Sequence, residues 1–453
     1  MEENKMGVLP ERRLLLLMSL PIMLSMLVQA LYNVVDSIFV AQFSQDALTG
    51  VTVAFPMQNL MIAVGGGTGV GISAFLSKSL GEKKPGLASD VAKNGLILGV
   101  FSWLAFVLIG LFAARPFIAG QTDVPAVIDC GAEYLTICTV FSFGIFGQLI
   151  LERVLQATGK TVYSMLTQII GAVINIILDP ILIFGYFGFP RMGIAGAAAA
   201  TVTGQIVAMI AALLLNIRKN KELDFSFRKF RLSGSIIFRI YTVGIPSIVM
   251  MAISSVMTFA MNSILGAFST AATNVFGVYF KLQSFAVMPI FGLNNGMIPI
   301  ISYNYGAKKR ARIQKTIRLA VFFALLIMAA AIAVFQLFPA QLIGLFETEG
   351  ADNTQLYELG VNALRILSLN FIFAGFCIVL SAVFQALGNG VLSLIVSAAR
   401  QLVVLIPAAY LLSLLGDVHL IWWAFPIAEL ASLLCCIGCY AYIHKKIIQN
   451  IPG

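Results

Sequence analysis

Charge is scarce in this sequence. Of 453 residues only 11% are Asp, Glu, Lys or Arg, against about 25% in soluble globular chains. Too few charges are present to coat a soluble surface, and the mean hydropathy is +0.94. Histidine is nearly missing. His419 and His444 stand too far from other ligand types for a metal site or a catalytic triad. The six cysteines, Cys130, Cys138, Cys377, Cys435, Cys436 and Cys439, all lie in or beside apolar segments. "CCIGC" contains one CxxC but no second pair, so buried thiols are expected rather than a bound metal. The run "GGGTGVG" (65–71) lacks the Lys-Ser/Thr ending of a phosphate loop. Its small residues read instead as a place where helices approach closely. No GxGD surrounds an aspartate, so an intramembrane protease is not supported. No enzyme, no cofactor and no ATP-driven pump is expected. A small-residue cleavage site is also lacking after "MEENKMGVLPERRLLLL", so no cleavable signal is expected.

Long apolar runs are what the chain has. Hydrophobic residues make up 59%, and a membrane span needs about 20 mostly apolar residues. Twelve spans are expected, at about 14–40, 50–77, 92–118, 127–156, 162–188, 193–217, 236–265, 272–304, 314–340, 357–386, 391–415 and 419–443. Breaks such as "GEKKPG", "GQTDVP", "GFPRMG" and "ETEGADN" carry turn or polar residues. The fold class is therefore all-α integral membrane, with the lipid bilayer as partner. The net charge of +9 sits in short loops and does not argue for nucleic acid. With the N-terminus inside, 23 of the 29 Lys and Arg fall in inner segments, Arg115 and Arg191 fall outside, and four lie within spans. Both termini are expected to be cytoplasmic.

Shifted by 225 residues, the sequence lies on itself. Pro21 meets Pro246, Phe55 meets Phe280, Gln58 meets Gln283, and Gly67 and Gly71 meet Gly292 and Gly296. From Pro21 to Lys84, 14 of 64 positions are identical without a gap. "LQATG" later meets "FQALG". Six spans per half is even, so the halves share one orientation: a parallel repeat about an axis along the membrane normal. The expected division is 1–217 for the first lobe, 218–235 for a basic linker and 236–453 for the second lobe. Repeated lobes of this kind enclose a substrate site between them.

A charge in hydrocarbon costs at least about 2.5 kcal/mol, so intramembrane carboxylates come first as functional candidates. Asp36 is about 34 Å along span 1, and Asp179 about 28 Å along span 5, both counted from the inner side at 1.5 Å per residue. Thr201 is about 12 Å into span 6 from the outer side. Asn175 and Asp179 are four apart and share a helix face. Asp36, Asn175, Asp179 and Thr201 are therefore expected to form one polar cluster in the first lobe. Pro180 removes an N–H, which frees the carbonyl near Ile176 and is expected to kink the span. Two nearby carboxylates in low dielectric do not both stay ionised. That suits reversible proton binding, and the same oxygens can hold sodium. The second half has Met261 and Ile406 in the matching places. A substrate cavity between the lobes is drawn from Gln29, Tyr32, Lys281, Gln283, Met288, Phe291, Asn294, Asn295 and Arg400. Glu152 and Arg153 read as a pair at the membrane interface, and Arg400 with Glu429 as a brace between spans 11 and 12.

Three long stretches resemble the multidrug and toxic compound extrusion (MATE) family. "LPIMLSMLVQALYNVVDSIFVAQF" is similar to the family's first span with its aspartate. "INIILDPILIFGYFGFPRMGIAGAAAATVTGQ" is similar to its spans 5 and 6. "GVYFKLQSFAVMPIFGLNNGMIPIISYNYGAKK" resembles span 8 of the bacterial branch with DinF-like and MepA-like transporters. The resemblance implies export of organic, often cationic, small molecules in exchange for protons or sodium. It also implies a first-lobe coupling network at Asp36, Asn175, Asp179 and Thr201, with Thr203 close by. Spans 7 and 10 lack the acids that the NorM-like branch carries there. A monomer in the bacterial inner membrane is expected, with protons favoured over sodium. A lipid-linked saccharide flippase of the same superfamily is the alternative, kept open by Lys281, Arg365 and Arg400.

Overall fold

The computed structural model describes residues 4–228, 230–346 and 354–451. Lys229 and the expected break "ETEGADN" lie outside them. Apolar stretches become helices because a backbone without water must satisfy its own N–H and C=O groups. The first half holds α1 (Glu11–Phe43), α2 (Gln45–Gly81), α3 (Pro85–Phe112), α4, α5 (Thr161–Phe184) and α6 (Ile194–Lys219). The second holds α7 (Gly234–Gly266), α8 (Thr270–Gly306), α9 (Arg310–Leu337), α10, α11 (Gly390–Ser413) and α12 (Val418–Ile448). α4 joins Pro125–Val140 to Phe143–Ala157, and α10 joins Thr354–Ser368 to Phe371–Ala386; each is bent by 49°. Ten helices are each long and apolar enough to cross a membrane, and the bent pairs bring the total to twelve when each counts as one span. Among the described residues there is no strand.

The repeat is visible in local detail. The Ser44 hydroxyl caps α2 by accepting from the Ala47 N–H, and Ser269, 225 residues on, caps α8 by accepting from the Ala272 N–H. Lys83 and Lys308 both adopt positive φ, at 59° and 58°, in the turns that follow α2 and α8. Ser77 Oγ donates to the Ala157 carbonyl at 2.8 Å, and its counterpart Ser302 donates to that of Ala386 at 2.7 Å.

The halves meet along a seam at the end of the bundle that carries the basic loops. α2 packs on α7 and α8 on α1, and glycines bring the backbones together. A Cβ on Gly81 would strike the Tyr303 carbonyl, and one on its counterpart Gly306 would strike that of Lys78. Gly67 faces Ile248, while its counterpart Gly292 faces Met23. Lys78 and Tyr303 are themselves repeat counterparts, as are Met23 and Ile248, so the contacts are related by the axis of the repeat. Ser19 Oγ adds a bond to the Leu293 carbonyl at 3.2 Å.

The N-terminal segment straps the same end. Asn4 Nδ2 donates to the Glu222 carboxylate at 2.9 Å on the first-half side. Asn304 Nδ2 donates to the Met6 carbonyl at 3.0 Å, and Arg312 Nη2 to the Leu9 carbonyl at 2.6 Å, on the second-half side. Toward the other end, repeat-related positions on α1 and α7 are exposed: Leu31 with Val256, and Val34 with Phe259.

The seam predicts a steric asymmetry among glycines. Gly81→Ala and Gly306→Ala should each lower the melting midpoint of the purified protein, at about 1–3 kcal/mol of overpacking. Gly66→Ala meets no atom within 4 Å and should leave the midpoint at or above that of the parent. A Gly81→Ala midpoint equal to that of Gly66→Ala would remove the steric basis of the seam.

Candidate functional site

Inside the first half, α1, α5 and α6 bring four polar side chains together. Asn175 and Asp179, one turn apart on α5, are 3% and 0% exposed. With Asn175 Nδ2 donating to Asp179 Oδ2 at 3.2 Å, its Oδ1 accepts from both the hydroxyl (3.3 Å) and the backbone N–H (3.2 Å) of Thr201. This orientation pairs each donor with an acceptor. Thr201, and not Thr203, makes this link. α5 runs unbroken from Thr161 to Phe184 and continues through Pro180, so the proline does not divide the span. The helix ends at Gly185, whose left-handed φ of 80° no side chain adopts easily.

Asp36 on α1 faces this group. Its carboxyl is near enough to that of Asp179 for the two groups to interact, and Asp36 Oδ1 is buried without a hydrogen-bond partner. An ionised carboxylate only accepts, so contact between two of them is a hydrogen bond only when one carries a proton. Tyr32, one turn back on α1, lies beside both carboxylates. A second layer backs Asp36 from α2 and α4. Gln58 Nε2 donates to the Tyr134 hydroxyl at 3.1 Å and approaches Cys138 Sγ at 3.8 Å, and both Tyr134 and Cys138 neighbour Asp36. Sequence reasoning missed this layer, although Gln58 was on view as one of the residues that the repeat keeps.

The residues drawn for a substrate cavity differ in burial and partners. Gln29, Lys281 and Phe291 are exposed, and Gln283, Met288 and Asn295 are half-buried. The Lys281 ammonium lies over the Phe346 ring, 5.7 Å from its centroid. Asn294 is buried and gives its amide N–H to the Ile378 carbonyl on α10 at 3.2 Å. Arg400 pairs with Glu429 at 2.9 Å, the brace between α11 and α12 that the sequence suggests. Arg400 lies in a π-helical stretch, Ala399–Leu405.

One reading fails. Glu152 and Arg153 are not an interfacial pair. Glu152 is 2% exposed and bonded to Gln148, Thr167 and Gln168, while Arg153 Nη1 donates to Gln156 Oε1 at 3.1 Å. Successive residues on a helix point about 100° apart, which separates their heads.

The geometry assigns the orienting bond to one threonine. Thr201→Val should lower stability by about 1 kcal/mol and remove one of the two bonds to the Asn175 carbonyl oxygen, while Thr203→Val should do neither. Thermal melts paired with Asn175 side-chain amide resonances check both. Equal effects from the two substitutions would contradict the assignment.

Comparison with known proteins follows the same two-part layout. The MatE family model matches residues 21–181 and 246–411, two segments whose starts are 225 residues apart. The chain is 26% identical to the multidrug export protein MepA of Staphylococcus haemolyticus, over 91% of this chain and 89% of that protein. It is 26% identical to a protein of Shewanella oneidensis named FAD transporter, over 98% and 96%. A solved structure described as the outward-facing conformation of a multidrug resistance MATE family transporter superposes with a TM-score of 0.90 at 25% identity, covering 99% of this chain and 98% of that one. Matched by the family model in both halves, the chain belongs to the MatE family.

Proposed function

We propose that this protein exports organic, often cationic, compounds across the bacterial cytoplasmic membrane in exchange for protons, by alternating access. The observation that carries the reading is the gathering of Asp36 beside the bonded group Asn175, Asp179 and Thr201, two carboxylates that low dielectric does not leave ionised together without a proton or a cation. The basic seam is then the cytoplasmic side, in line with the excess of Lys and Arg there, and the opposite end faces outward. Both termini lie on the cytoplasmic side under this reading, and the protein acts as a monomer.

In the exchange, a proton arriving from outside lowers the negative charge of the carboxylate pair by one. α1 and α5 then repack, which lowers affinity for a cationic drug and releases it outward. Closing the outer end and parting the glycine seam then exposes the pair to the cytoplasm, where the proton leaves and a new drug enters. One proton exchanged for one monovalent cation moves no net charge. A gradient of one pH unit then supports about a tenfold drug gradient, or about 1.4 kcal/mol. The Asp oxygens can hold sodium as well; the proton is the proposed coupling ion because two neighbouring carboxyls in low dielectric readily take one up.

No observation favours the flippase alternative. Arg365 is exposed, Arg400 is tied to Glu429 and Lys281 rests on Phe346, so the basic residues do not gather in a cavity.

Asp179→Asn should reduce proton-driven efflux of a cationic dye from proteoliposomes at least tenfold while dye binding persists. Efflux at the parental rate would refute coupling at this pair.

A further inference from the structure

A second buried carboxylate lies in the first half, apart from the Asp36–Asp179 pair. Glu152 is held in a cage of neutral groups. Gln168 Nε2 donates to Oε2 at 2.7 Å, and Gln148 Nε2 donates to Oε1 at 3.0 Å. Thr167 Oγ1 lies 3.0 Å from the same Oε1 and also 2.8 Å from the Ser164 carbonyl. A hydroxyl has one proton, so Thr167 cannot donate to both. If it donates to Glu152, the carboxylate is ionised. If it donates to the Ser164 carbonyl, the contact with Oε1 is a hydrogen bond only when Glu152 carries a proton and donates it to Thr167. The cage is built for either state, and rotation of one hydroxyl separates them.

The surroundings point the same way. Gln168 Oε1 is buried with no donor, so the ionised cage has an unmet acceptor beside the carboxylate. Of the elements packed on this part of α4, α5 brings Ser164, Thr167 and Gln168. Among the described residues the charged group that acts on Glu152 is Arg153, and its guanidinium turns away to Gln156, which in turn donates to Ser164 Oγ at 2.9 Å. Nothing in the transport reading uses this site. Its place on α5 is informative: Gln168 is eleven residues, about 16 Å, from Asp179 toward the basic end, and eight residues, about 12 Å, from Lys160.

We infer that Glu152 is a second proton-binding site, set between the Asp36–Asp179 pair and the basic end, with Thr167 as the hydroxyl that switches between its two states. Its role in coupling rests on the transport reading: the proton released from the aspartates is held at Glu152 before it leaves through the basic end. The binding step is a proton transfer only. The O–H bond forms at Oε1 as an O–H bond of a hydronium ion carrying the aspartates' proton breaks and leaves water, and the Thr167 hydroxyl turns to Ser164.

The test is pH-difference infrared spectroscopy of the full chain in lipid, alongside dye efflux. The parent should show a protonated-carboxyl C=O band that is absent in Glu152→Gln and retained in Asp179→Asn. Glu152→Gln should also slow proton-driven efflux at least fivefold and flatten its dependence on the pH at the basic end, with the melting midpoint monitored in parallel. If Glu152→Gln does not fold, Thr167→Val decides, because losing the hydroxyl partner should shift the Glu152 band without abolishing it. Difference spectra and efflux that are unchanged in these variants overturn the inference. Parental protein that moves no dye under a pH gradient would refute the transport reading instead, and the infrared band would still decide whether Glu152 takes the proton.

Discussion

The contact between Asp36 and Asp179 sets the terms for the first half of the molecule. Two carboxylates in a medium without water repel each other, and either one alone is costly there by about 2.5–3.5 kcal/mol. Their approach is tolerable only with a proton or a cation between them. The polar neighbours serve that need. Asn175 gives its amide to Asp179 and is itself held by Thr201. Tyr32, Gln58 and Tyr134 supply dipoles beside Asp36 without adding charge. The site therefore holds no charged groups besides the two carboxyls, which suits the proposed coupling role.

Against this stands the symmetry of the scaffold. Caps, left-handed turns and glycine contacts recur in both halves with the spacing of the repeat. The seam is a two-sided device in which each half lends a carbonyl to the other's glycine. Met261, opposite Asp36, is fully buried in an apolar core instead. The scaffold is built symmetrically while the carboxylate pair lies in one lobe, so under the proposed mechanism protonation of one half would bias a transition that both halves share.

Much of this was legible in the residues. Twelve apolar runs of spanning length, with Lys and Arg gathered in alternate loops, leave few other folds. Asn175 and Asp179 were readable because a four-residue spacing fixes a common helix face, and Asp36 because its depth could be counted. Arg400 and Glu429 were paired correctly, since opposite charges in adjacent spans seek each other where water is absent. The bends in α4 and α10 were not legible. They fall at Phe141–Ser142 and Leu369–Asn370, without a proline to mark them. Tyr134 and Cys138 were passed over because a lone polar residue in an apolar span carries no pattern. Glu152 was misjudged for a related reason. Linear depth placed it near the interface, whereas its burial comes from α5 packed against it.

The central claim is that the aspartate pair exchanges protons for an organic cation. The most direct measurement is dye efflux from proteoliposomes of the parental protein, first under a pH gradient alone and then under a sodium gradient alone, with internal pH recorded throughout. The account predicts efflux under the pH gradient, matched by proton movement the other way, and none under sodium. Efflux driven by sodium alone, with internal pH unmoved, would contradict it.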